Sequence, residues 1–144
     1  MNMLKGIGIC FSELGLFLVF YWGITVPLFL LLLISSLRNF PFSPKNFKFP
    51  HLIILSPFLV PITLLITGGI FYREASQAIV APNAPRWQPL LIYFIAFLHL
   101  PLIFVSYQRM KDYFFFAVFL VLVQFWLTGL AWFVAGMAIT GGYV

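Results

Sequence analysis

The chain has 144 residues, of which 63% are hydrophobic, 20% aromatic and 8% charged, with a formal net charge of +5. Soluble domains carry about 25% charged residues, so this composition excludes a water-soluble fold and points to a membrane. The eight Lys and Arg residues are spread over short segments as the flanks of membrane helices, so the positive balance does not indicate nucleic acid.

The charges leave four uncharged apolar runs, Leu14 to Leu37, Leu52 to Tyr72, Pro89 to Gln108, and 113–139. Each is about 20 residues or longer, enough at roughly 1.5 Å per residue to cross a hydrocarbon core of about 30 Å. The expectation is an all-α, polytopic integral membrane protein with four transmembrane helices in an antiparallel bundle. No gap between runs exceeds about 16 residues, so residues 1–144 form one transmembrane domain with no extramembrane unit. Cys10 is the only cysteine, which excludes an intrachain disulfide and a thiolate metal cluster.

The N-terminal segment lacks a small-residue cleavage site and runs on too long for a signal peptide, so the first span reads as retained. Gly8, Gly15 and Gly23 recur at spacings that make a smooth strip for close helix packing. Glu13 is the one carboxylate adjoining a span. A helix beginning near Leu14 leaves it at the membrane interface, which is the expectation, whereas one beginning at Gly6 carries it about 9 Å deep, where it needs a partner. Pro27 reads as a kink.

Between spans one and two, the segment 38–51 alternates Arg38, Lys45 and Lys48 with Phe40, Phe42, Phe47 and Phe49. Pro41, Pro44 and Pro50 deny it a regular helix, so it is expected to lie along the headgroups, rings toward the acyl chains and cations toward lipid phosphate or an acidic partner. Span two carries Pro57, Pro61, Thr63, Thr67, Gly68 and Gly69, which break its hydrogen-bond ladder. A kinked packing helix is the expected meaning, with the broken helix of a transporter as the other. In the segment 73–88, span two extends to about Val80, Arg73 and Glu74 are solvated, and Trp87 anchors the chain at the interface. The third gap, YQRMKD, is short enough to force spans three and four into a tight hairpin.

Inside that hairpin lie His99 and Gln124. Counting from Met110 as the centre, they fall within about 5 Å of one depth, and a hydrogen bond between them satisfies both in hydrocarbon. Pro101 cannot donate to the Phe97 carbonyl and opens the helix beside the imidazole. A cofactor-binding alternative assigns His99, with Gln124, to a haem, a chlorophyll or a quinone. Ligation of one haem by both histidines is not expected, because His51 begins span two at the opposite edge. In span four, Gly129, Ala131, Ala135, Gly136 and Ala138 form small-residue faces for close helix contact. With 19 Phe residues, more rings are present than four helices can bury internally, so many face lipid or a neighbouring protein.

No catalytic motif is present, and the three carboxylates, Glu13, Glu74 and Asp112, fall in different segments, so enzyme activity is not expected. The sequence reads as a small accessory, structural or assembly subunit of a larger membrane complex, in contact with lipids and other integral membrane subunits. The alternatives are an electron-transfer subunit using His99 and a small transporter or channel. A bacterial inner membrane or an organellar membrane suits it equally. Five Lys and Arg in the first and third gaps against three elsewhere place both termini on the non-cytoplasmic side.

Overall fold

A computed structural model describes residues 3–39, 52–73, 87–110 and 113–141, and these are all helical apart from short turns. Helix α1 spans Met3–Phe20 and α2 spans Trp22–Asn39. A short α3, Leu52–Leu55, passes through a 3-10 turn, Ser56–Phe58, into α4, Leu59–Ile70. Helices α5, Trp87–Phe97, and α6, His99–Arg109, follow, and α7 runs unbroken over Phe114–Thr140. Three stretches are long and apolar enough to cross a membrane: Met3–Phe20, Trp87–Arg109 and Phe114–Thr140. Trp22–Ser36 and Ser56–Ile70 are apolar but shorter.

Proline accounts for most of the breaks. Pro101 has no amide for the Phe97 carbonyl, and the helix parts there into α5 and α6 at Leu98. Pro57 sits in the first positions of the 3-10 turn, where the Leu59 amide reaches back to Ser56. Around Tyr21, whose carbonyl takes the amides of both Ile24 and Thr25, the first rod tightens and divides into α1 and α2. Gly23 and Pro27 lie just beyond, and proline loosens the turn preceding it. After Tyr113 there is no proline, and α7 continues for 27 residues to Gly141, whose φ of 71° closes the helix in the left-handed region.

The elements stack as three rods, α1–α2, α3–α4 and α5–α6, around a fourth, α7. Gly6 of α1 lies against Gly69 of α4, Gly68 of α4 against Ala135 of α7, and the Arg73 amide donates to the Ala138 carbonyl at 2.8 Å. Phe17 meets Phe133 edge-on at 5.5 Å, Tyr21 meets Trp126 at 5.8 Å, and the Trp126 indole donates to Thr25 Oγ1 at 3.2 Å. At the other end, Leu32, Ile54, Met110, Phe116 and Leu120 pack together. Residue numbers therefore rise along α1–α2 and α5–α6 as they fall along α7, while α3–α4 runs with it. The core between α1, α4 and α7 is made of Cys10, Leu64, Leu65, Ala131, Val134, Ala135 and Ala138.

Several expectations change. The first helix begins at Met3, not Leu14, because nothing before Leu14 stops a helix and the Gly6 contact with α4 holds that turn. Glu13 is consequently carried into the interior of α1, partly buried, rather than left at its start. Gly8, Gly15, Gly23 and Gly129 are exposed, and at none of them, nor at Gly136, does any neighbour come within 4 Å of where a Cβ would sit. They do not pack against any other described residue of the chain. The close approaches use Gly6, Gly68 and Gly69 instead, because the inner face of α1 is set by Gly6 and Cys10, about half a turn away from Gly8 and Gly15. Ala131, Ala135 and Ala138 of α7 are fully buried. Arg38 falls in α2, but its side chain, together with Phe40, Phe42, Lys45, Phe47, Lys48 and Phe49, lies outside the described residues, as does the stretch from Glu74 to Val80.

Candidate functional site

Polar side chains gather in a seam where α3, α6 and α7 meet. His99 and Ser106 are seven apart on α6, and Gln124 and Thr128 four apart on α7, so each pair presents one helix face. In the 3-10 turn at Ser56–Phe58 the donor to the Ile54 carbonyl would be the i+3 residue, but that is Pro57, which has no amide hydrogen, so this carbonyl in the last α turn is left for side chains to satisfy. Ser106 Oγ donates to it at 3.1 Å, and the Gln124 amide approaches it from α7 at 3.5 Å. One backbone oxygen thus joins three rods. Gln124 and Ser106 are 0% exposed and His99 is 2% exposed, so water does not offer an alternative to these bonds.

His99 and Gln124 do not bond to each other. Thr128 Oγ1 lies 3.4 Å from His99 Nε2, in a bond whose direction follows the imidazole tautomer. Depth counting does not choose between the two, since His99 and Gln124 each lie ten residues from the helix ends at Arg109 and Phe114; the imidazole instead meets the residue one helical turn farther along α7. Gln124 Oε1 is buried without a hydrogen-bond partner among the described residues, as is Gln88 Oε1.

At His99 the Nε2 side of the ring is closed to a haem or chlorophyll. An axial ligand needs its nitrogen lone pair to face an open slot, whereas Nε2 faces Thr128 and the ring is closed over by Phe125, edge-on at 5.4 Å. A quinone carbonyl would have to displace Thr128 from the same nitrogen. Among the described residues no group of three or more His, Cys, Asp or Glu converges as a metal site. Chemically the seam ties helices together: Ser106 and Gln124 donate to the Ile54 carbonyl, and Thr128 pairs with His99.

This gives an asymmetric pair of expectations. Thr128→Val leaves a buried imidazole nitrogen unpaired and is expected to cost about 1–3 kcal/mol, whereas His99→Leu removes the polar group itself and costs less. Thermal unfolding of the two variants in one detergent checks the order.

Two surface grooves complete the candidates. One, of about 250 Å³, runs between α5 and the end of α7 and is lined by Pro89, Tyr93, Trp132, Phe133, Met137 and Thr140. The other, of about 360 Å³, lies along α1 and is lined by Glu13, Leu16, Phe17, Val19 and Phe20. Ser106, Thr128 and the Ile54 carbonyl were not singled out by the sequence, although the spacings His99–Ser106 and Gln124–Thr128 place each pair on one helix face. No known family model matches the chain, and neither does any curated protein or solved structure.

Proposed function

We propose that the protein is a non-catalytic integral membrane subunit that crosses the bilayer four times and packs within a larger membrane complex. The first crossing is made by α1–α2, the second by α3–α4, the third by α5–α6 and the fourth by α7. The observation that carries this reading is the division of labour between inside and outside. The buried polar groups bind helix to helix, and large apolar side chains such as Phe20, Trp22, Leu30, Leu33 and Ile34 stand exposed along the first rod. Helix α2 in particular buries little beyond Ser35. A surface of this kind suits lipid and the helices of other subunits, and no exposed cluster of reactive groups accompanies it among the described residues.

Both termini are assigned to the non-cytoplasmic side by the distribution of Lys and Arg. The reading is tested on one tagged protein carrying a topology reporter after Val144, extracted from its native membrane in mild detergent. The expected result is a reporter signal from outside the cytoplasm, and other integral membrane proteins co-purifying at fixed stoichiometry. An isolated monomer would remove the subunit role, and a cytoplasmic reporter would reverse the orientation.

A further inference from the structure

We infer that Glu13 marks a docking groove on α1 for a transmembrane helix of another protein carrying a Lys or Arg side chain. This deepens the subunit reading proposed above and rests on it.

Three observations combine. First, with four crossings Glu13 is deep. Gly6 lies level with Gly69 and the Cβ of Tyr72, at the end of the bundle where α4 finishes, and Glu13 is about 10 Å farther along α1. A glutamate side chain is too short to return its carboxylate to the headgroups from there. Second, no hydrogen bond or ion pair to Glu13 is found among the described residues. Lys5, the nearest cation on the same helix, is eight residues away, or about 12 Å along the axis, and projects from the exposed side of α1. Third, the carboxylate opens into a groove rather than into the core. Leu16, Phe17, Val19 and Phe20 form its walls, Leu16, Val19 and Phe20 are exposed, and the space of about 360 Å³ is shallow and almost wholly apolar apart from Glu13.

A carboxyl group in hydrocarbon is costly unless it is paired, and residues of this type inside membrane segments face a bundle interior, an aqueous cavity or a partner. Glu13 follows Gly6 by seven residues and so stays near the line of Gly6 and Cys10, but beyond the turns those two bury it is only partly buried and lines the open groove. Charge complementarity then selects the occupant: an apolar helix to fill the groove between Leu16 and Phe20, with one basic side chain about 10 Å from the interface to meet the carboxylate.

The test reconstitutes the full chain, with a fluorescent donor fused after Val144, in phosphatidylcholine liposomes with acceptor-labelled polyleucine transmembrane peptides. One peptide carries a single Lys about 10 Å from its end, and the other carries Leu there. The expected result is association of the Lys peptide about tenfold tighter than the Leu peptide, and loss of that preference in Glu13→Gln. Circular dichroism of the variant confirms that it remains helical. Equal binding of the two peptides to the wild-type chain, or a preference that survives Glu13→Gln in the helical variant, overturns the inference. The two readings separate cleanly. Native co-purification without a Lys preference removes the groove alone, and a Lys preference in a chain that purifies alone removes the native subunit role while the groove stands.

Discussion

Gly69→Leu is expected to be the most damaging single substitution in the described part of the chain. A Cβ at Gly69 would meet the backbone of Ile7, and a Cβ at Gly6 would meet the carbonyl of Gly69. Backbone atoms cannot rotate away, so α1 and α4 must separate. The neighbouring contact, where a Cβ on Gly68 would come within 2.7 Å of the Ala135 Cα, then opens as well. Overpacking of this kind costs about 1–3 kcal/mol, and more when two helix pairs move together. Gly69→Ala is expected to show the same effect in smaller measure. Gly8→Ala and Gly15→Ala are the controls. Nothing lies near a Cβ there, and alanine favours the helix by about 0.8–1 kcal/mol over glycine, so neutral or raised stability is expected. Because Gly6 and Gly69 share one contact, Gly6→Ala with Gly69→Ala costs less than the sum of the singles. Unfolding in mixed detergent micelles measures all of these, and a Gly69→Ala as benign as Gly8→Ala would mean that the helices do not touch there.

The second large effect is expected at the Ile54 carbonyl. Gln124→Met removes the longer of its two hydrogen bonds, but it also removes the buried Oε1 that has no partner, so the two changes offset and stability changes little. Ser106→Ala removes the shorter bond and leaves the Gln124 amide in place, a loss of about 0.6 kcal/mol on the scale of interhelical hydrogen bonds in membranes. The double variant leaves the carbonyl with neither donor in a water-free interior, at a cost of about 1–3 kcal/mol, well above the sum of the singles. A double-mutant cycle reads this coupling directly. Strict additivity would show that Ser106 and Gln124 do not serve the same oxygen.

Periodicity and charge made the helical class legible before any coordinate, because apolar runs bounded by charges are a property of composition alone. Proline made several of the breaks legible too: Pro101 and Pro57 act where the missing amide says they must. What the sequence concealed was rotation and register. Which glycines pack depends on which side of α1 faces α4, and a helix apolar nearly all round gives no hydrophobic face from which to read that. The spacing therefore pointed to Gly8, Gly15 and Gly23, while the contact is made by Gly6. The His99 partner is Thr128, one turn beyond Gln124, because residues counted from the hairpin give depth but not the rotation of α6 against α7 that decides which side chain meets the ring. Glu13 was misplaced for a related reason: a charge is a poor marker of a helix start when the turns before it have no stop signal.

The position of α7 has a consequence for how the molecule is made. It is the last rod in chain order and touches every other rod, and α2 packs mainly against it. At about 5–20 residues per second, the ribosome needs roughly 5–20 s after finishing α2 to deliver the whole of α7. During that interval α1 can pair with α4 through Gly6 and Gly69, but α2 has only lipid, or a biogenesis factor, for company. Any chain released before Phe114 leaves α2 without its dock, so quality control at the membrane would meet a half-assembled bundle whose first rod is secured at one end and loose at the other.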